Sequence, residues 1–145
     1  AGAARAVLGT AAVWDPRIVG EIVEAVGSDA VVAAVDVRQG RATGAGWRDE
    51  GRDVEAVITD LVTAGVGRAL VTGIAGDGML TGPDTPLLES VRSVAPQMAL
   101  IASGGVGSLA DLVEVAKSGV EAAIVGRALY DDRFTFADAV AITGR

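Results

Sequence analysis

Neither cysteine nor histidine occurs anywhere in the chain. The first absence excludes disulfides and thiolate metal sites, and the two together exclude the usual zinc ligand sets and any histidine-based catalytic triad. Acid–base chemistry in such a chain falls to carboxylates. Long apolar runs are missing as well: those at 98–102 and 122–125 end at Gly, Ser or charge far short of the ~20 residues a membrane span needs. No stretch near the start combines a basic end, an apolar middle and a cleavage site. A soluble, cytoplasmic protein with no membrane partner is therefore the expectation. Positive charge is scarce, with 12 Lys and Arg against 19 Asp and Glu, for a net charge of −7. Affinity for a nucleic-acid backbone comes mainly from clustered Lys and Arg, so nucleic acid is not an expected partner. An anionic small molecule remains compatible, because a few backbone amides and one Arg hold a phosphate locally.

What is present is apolar patterning: half of the 145 residues are hydrophobic, enough for one core and a single domain spanning 1–145. Short β-branched runs alternate with stretches of helical spacing, the order of parallel strands joined by crossover helices. The runs at 6–13, 30–37, 68–74, 98–103 and 122–126 read as five parallel strands, each nearly continuous in Val, Ile, Leu and Ala as expected where both faces are covered. Between them, Asp15 and Pro16 open a helix as N-cap and first residue, with Ile18, Ile22, Val23 and Val26 as its buried stripe and Gly27 at its end. A second helix presents Val54, Val57, Ile58, Leu61 and Val62 on one face, with Gly65 just past its end. Others follow Pro83, Ser108 and Phe134, and Ser108 with Asp111 has the spacing of a capping box. The Gly-rich, charged connection at 38–52 is longer than compact domains usually carry without a use, and reads as a cover over a substrate or as a plain solvated loop.

In parallel α/β architectures ligands bind beyond the carboxyl ends of the strands. The residues there are Gly9 and Thr10, Asp36 and Arg38, Thr72 followed by Asp77, then Ser103, Gly104 and Gly105, and finally Gly126 and Arg127. The last two sets are small turns leading into helices, where free amides and the helix dipole favour a phosphate, although such glycines also serve plain tight turns. Asp36 ends a run of Val and Ala. Burying it would cost several kcal/mol unless it is bonded or paired, so it is either functional or in a salt bridge with Arg38 or another Arg. Asp77 precedes glycine, a pair common in ordinary turns.

The motifs Ala6-Val-Leu-Gly-Thr-Ala-Ala-Val13, Val35-Asp-Val-Arg-Gln-Gly40 with Trp47, and Thr72 with Asp77-Gly-Met-Leu-Thr-Gly-Pro83 resemble the phosphoribosylformimino-5-aminoimidazole carboxamide ribotide isomerase family of histidine biosynthesis. So do Ile101-Ala-Ser-Gly-Gly-Val106, Ser108-Leu-Ala-Asp-Leu112 and Ile124-Val-Gly-Arg-Ala-Leu-Tyr130, in order across nearly the whole chain. The resemblance is nearest to the actinobacterial branch that also isomerises phosphoribosylanthranilate for tryptophan synthesis. A cyclase of the same pathway shares the fold, but the segment from Gly9 to Val13 and the ending at Tyr130 fit the isomerase better.

The resemblance implies an α/β fold that is a partial TIM (βα)8 barrel: five parallel βα units matching barrel strands 4 to 8, with strands 1–3 absent. It implies an Amadori rearrangement in which one carboxylate opens an aminoaldose by protonating the ribose ring oxygen and another removes the C2 proton. Asp36 and Asp77 match the acid side, Thr72 orients substrate, and the base belongs to the missing first strand. No cofactor or metal is implied. One substrate phosphate would rest on the backbone of Ser103, Gly104, Gly105, Gly126 and Arg127, Gly9 and Thr10 would form part of the other site, Arg38 joins the binding set, and Trp47 would stack over substrate. The pattern departs from the family at Gly73, where an acidic residue is usual, at Gly76, where a base is usual, and at Ala45, often Arg in the dual-substrate branch. These departures put dual-substrate turnover in doubt.

Two readings follow. The chain is a portion of an isomerase for a bis-phosphorylated ribotide, completed by an N-terminal half-barrel, or it is a non-catalytic, self-associating module, natural or engineered, that binds free phosphate. An open sheet leaves edges and an apolar face uncovered, so both readings predict association with another copy or a complementary half. The lack of a starting Met at Ala1 fits a fragment, a processed chain or an engineered one.

Overall fold

A computed structural model of the chain describes residues 2–44, 46–47 and 50–144. Strand β1 (Ala6–Leu8) leads into helices α1 (Thr10–Trp14) and α2 (Pro16–Val26), then a 3-10 turn (Ser28–Ala30) and β2 (Val31–Arg38). Strands β3 (Arg41–Thr43) and β4 (Arg52–Asp53) precede α3 (Val54–Thr63) and β5 (Arg68–Gly73). The remainder runs α4 (Thr85–Val94), β6 (Ala99–Ser103), α5 (Leu109–Lys117), β7 (Ala122–Ile124), α6 (Arg127–Tyr130) and α7 (Phe136–Thr143). No helix among the described residues is long and apolar enough to cross a membrane.

The five expected strands are all present and parallel, ordered β1-β2-β5-β6-β7 as in the chain. Two expectations need correction. The run at 6–13 is a strand only to Leu8; Gly9 breaks it, and Thr10–Trp14 is helical with Ala12 and Val13 fully buried. A continuous apolar run fits either a strand or a buried helix, and tertiary packing decides between them. The connection at 38–52 is not structureless either, since β3 folds back antiparallel on β2 through Gln39 and Gly40. Both turn residues have positive φ, 50° and 75°, the geometry of a two-residue hairpin turn of type I′. Arg41 ties the far end of that excursion by donating to the carbonyls of Glu50 and Gly51. Ala45 lies outside the described residues.

Helix boundaries follow the local signals. Asp15 accepts from the Ile18 amide, Asp53 from Ala56 and Asp84 from Leu87, while Ser108 with Asp111 and Thr135 with Asp138 form reciprocal capping boxes. The stripes are narrower than periodicity suggests. On α2, Val19 is the fully buried residue, whereas Ile18 and Val26 are exposed; on α3, Val62 is exposed while Val57, Ile58 and Leu61 are buried. A 100° stripe sets a direction, and the neighbouring elements decide how far round the helix cover extends.

Burial along the strands separates the two faces of the sheet. Ala33, Val35, Ala69, Val71, Leu100 and Ala102 stand in register, are buried, and share one apolar cluster with Ile58 and Leu61 of α3, Leu88 and Val91 of α4, and Leu112 and Val115 of α5. Fully burying each Val, Leu or Ile among them stabilises the fold by about 1.5–3 kcal/mol. The alternate residues face the other way: Val7, Val32, Ala34, Leu70, Ile101 and Ile124, with Arg68 near the amino ends of the strands. This second face is sheltered in the middle, where Val32 is 3% exposed, and open at the margins, where Val7 is 59% and Ile124 47% exposed. On it Arg68 forms a two-pronged ion pair with Glu121, at 2.6 and 2.9 Å, whose hydrogen bond above all raises the guanidinium pKa against the opposing effect of burial.

Candidate functional site

Residues paired in register on parallel strands point to the same side of a sheet. Asp36 of β2 is opposite Thr72 of β5, Thr72 is opposite Ser103 of β6, and Ser103 is opposite Ile124 of β7. Three polar side chains thus form one row across the carboxyl ends of the strands, on the face opposite the apolar cluster shared with α3, α4 and α5. The hairpin extends this row with Thr43, opposite Asp36, whose hydroxyl donates to the Asp36 carbonyl at 3.2 Å. Thr43 was not foreseen as a site residue; the X-Gly pair at Gln39 and Gly40 was the signal that a hairpin would return it there.

Asp36 is half-buried, and its carboxylate accepts the indole N–H of Trp47 at 2.7 Å. Among the described residues no ion pair joins Asp36 to Arg38 or to another Arg. Arg38 is exposed at the tip of β2, in register with Arg41. Gly9 and Thr10 lie exposed at the end of β1, on the far side of β2 from β5, and α1 is held there by Arg52, which donates to the Val13 carbonyl and pairs with Asp60, both at 2.7 Å.

A second group forms at the ends of β5, β6 and β7. Asp77, Ser103, Gly104, Gly105, Gly126 and Arg127 line one pocket of about 100 Å³, together with Gly78, Val106 and Ile124. That is room for several waters or one small anionic group. Ser103 belongs both to this pocket and to the row containing Asp36 and Thr72.

The glycines here are more than turn formers. Gly104 and Gly105 have φ of 91° and 81°, and the Gly105 carbonyl accepts from the Gly82 amide at 3.0 Å. A Cβ on Gly105 would stand 1.9 Å from the Gly82 oxygen, and one on Gly104 would stand 2.9 Å from the Gly73 oxygen. The turn after β6 is therefore the seat on which the segment 74–84, carrying Asp77, rests backbone to backbone. The two departures from the family pattern nearby differ in their surroundings. A Cβ at Gly73 would meet the Asp84 Cβ at 2.9 Å, so a larger residue there needs Asp84 to shift, whereas one at Gly76 would lie 3.4 Å from the Gly82 carbonyl, an ordinary contact.

A larger depression than this pocket lies elsewhere. A groove of about 490 Å³ between β7, α5 and α7 is lined mostly by Leu, Val, Ala and Phe136, with Glu121 and Thr143 at its margins. Its chemistry suits an apolar surface rather than a phosphorylated ligand.

Fold and site together define an α/β protein with a mostly parallel sheet, consistent with a TIM-like plan, whose polar groups gather at the carboxyl ends of its strands. The chain belongs to the family described as Histidine biosynthesis protein, which matches residues 1–135. It is 44% identical over 143 residues to a Frankia alni protein named 1-(5-phosphoribosyl)-5-((5-phosphoribosylamino)methylideneamino) imidazole-4-carboxamide isomerase, the match covering 98% of this chain and 58% of the relative. Isomerases of the same name from Sodalis glossinidius and Vibrio cholerae are 42% and 40% identical, each match covering 97% of this chain and 60% of the relative. The chain thus spans about three fifths of the length of these curated relatives.

Proposed function

We propose that this chain is the portion of a histidine-biosynthesis aldose–ketose isomerase equivalent to strands 4 to 8 of a (βα)8 barrel. One observation carries the reading: Asp36, Thr72 and Ser103 form a single row, and Ser103 is shared with the pocket lined by Asp77 and the turns after β6 and β7. A substrate bearing phosphate on that pocket would extend along the row toward Asp36. The uncovered apolar face, sheltered in the middle and open at Val7 and Ile124, has the character of the inside of a sheet that curls and needs further strands to close it.

In this reading the substrate is a bis-phosphorylated ribotide. Asp77 or Asp36 gives a proton to the ribose ring oxygen as the C1–O bond breaks, and Thr72 orients the opened sugar. A carboxylate on the missing first strand then takes the C2 proton, and the enol so formed passes to the aminoketose. Each well-placed acid or base contributes roughly 10²–10⁴-fold. The pocket amides hold one phosphate, Gly9 and Thr10 contribute to the other site, and Arg38 and Trp47 close over the sugar. No cofactor takes part, and the protein works in the cytoplasm.

The test is turnover of that substrate by the purified chain alone and mixed with a polypeptide supplying strands 1 to 3. Activity only in the mixture supports the proposal. Activity by the chain alone would mean that an oligomer of it supplies a base. No activity in either case, with inorganic phosphate still bound and sedimentation showing a self-associated species, would favour a second reading: a phosphate-binding module that pairs through its apolar groove beside β7.

A further inference from the structure

Asp77 is exposed and sits on neither a helix nor a strand, so something else must fix where its carboxylate stands. Within the segment 74–84 the Met79 amide donates to the Gly76 carbonyl at 3.0 Å, and the Gly82 amide donates across to Gly105 at 3.0 Å. A further tie comes from far along the chain. Arg127 Nη1 donates to the carbonyl of Gly78, the residue after Asp77, at 2.8 Å. The guanidinium is itself aimed by Asp131, whose Oδ2 accepts from Nε at 3.0 Å.

We propose that Arg127 is a positioning residue: its side chain braces the Asp77 segment, while its backbone, next to Gly126, belongs to the floor of the anion pocket. The guanidinium is engaged by a carbonyl on one side and a carboxylate on the other, so it serves the loop rather than projecting freely as a phosphate ligand. A group seated against the turns after β6 and β7 touches both supports of the loop at once, the Gly105 seat and the Arg127 brace. Occupancy of the pocket and placement of Asp77 are thereby coupled. The coupling rests on the isomerase reading for its catalytic meaning, but the brace itself does not.

The brace is tested first on the chain itself, without substrate. Amide hydrogen exchange at Met79 and Gly82 is compared among wild type, Arg127→Ala, Arg127→Lys and Asp131→Asn, with thermal melting as the check on global folding. Loss of a hydrogen bond from a charged donor predicts roughly tenfold faster exchange at Met79 in Arg127→Ala, partial rescue in Arg127→Lys, and an intermediate effect in Asp131→Asn. If Arg127→Ala does not fold, Asp131→Asn and Arg127→Lys carry the test. Unchanged exchange at Met79 in the folded variants overturns the proposal, as does a loss of inorganic phosphate binding in Arg127→Ala without any change in exchange, which would make Arg127 a plain ligand. In the mixture with strands 1 to 3, displacement of Asp77 predicts a kcat loss of roughly 10²-fold with KM little changed. A rise in KM alone would contradict the positioning role. If the mixture has no activity with any variant, the isomerase reading fails while the exchange result still decides the brace.

Discussion

The indole N–H of Trp47 donates to Oδ2 of Asp36 at 2.7 Å, joining a residue of the long β3–β4 connection to the end of a central strand. A carboxylate ending an apolar strand is thus bonded by a side chain that is itself 40% exposed, on a connection whose far end Arg41 ties through the carbonyls of Glu50 and Gly51. The bond leaves Asp36 available to a ligand that displaces the indole. In a Trp14→Phe background, which leaves Trp47 as the single reporter, Asp36→Ala should shift the emission of Trp47 with the melting temperature little altered. Asp36→Asn should reduce turnover of the completed barrel by roughly 10²–10⁴-fold. Retained turnover would transfer the acid role to Asp77.

Gly105 and Gly119 separate the two demands made on a glycine. Both have positive φ, 81° and 71°, but a Cβ on Gly105 would collide with the Gly82 carbonyl, whereas one on Gly119 meets nothing within 4 Å. Gly119→Ala should cost the roughly 1–2 kcal/mol of a left-handed alanine. Gly105→Ala should cost more, because the Asp77 segment must also lift from its seat, and it should abolish binding of inorganic phosphate. Urea unfolding and phosphate titration of both variants check this; equal losses would mean that the seat is not under contact.

The last helix should carry an acid-sensitive cap. The Asp138 carboxylate accepts from both the hydroxyl and the amide of Thr135, and these bonds hold its pKa below the ordinary carboxylate value. Because the folded pKa is depressed, its stabilising contribution is present above the ordinary carboxylate range and is lost as pH falls through the lowered value. The difference in stability between wild type and Asp138→Ala should therefore be largest near neutral pH and shrink on acidification. A difference that stays constant with pH would show that the cap acts through packing alone.

The sequence by itself determined what depends on neighbours a few residues apart. Asp15 with Ile18, Ser108 with Asp111 and the apolar runs of β2, β5 and β6 are legible because a cap bond or a continuous apolar run is complete within one short segment. The candidate site was legible as a set of strand ends, since parallel strands carry their carboxyl termini to one side. Only the tertiary structure decided that Thr10–Trp14 is a helix, that Ile18, Val26 and Val62 lie outside the core, and that Thr43 joins the row of Asp36. It alone brought Arg127 to Gly78, 49 residues away, and Gly82 to Gly105. The physical reason is that a residue's period or type records what it prefers, while a contact between distant segments exists only once the sheet has fixed where those segments end.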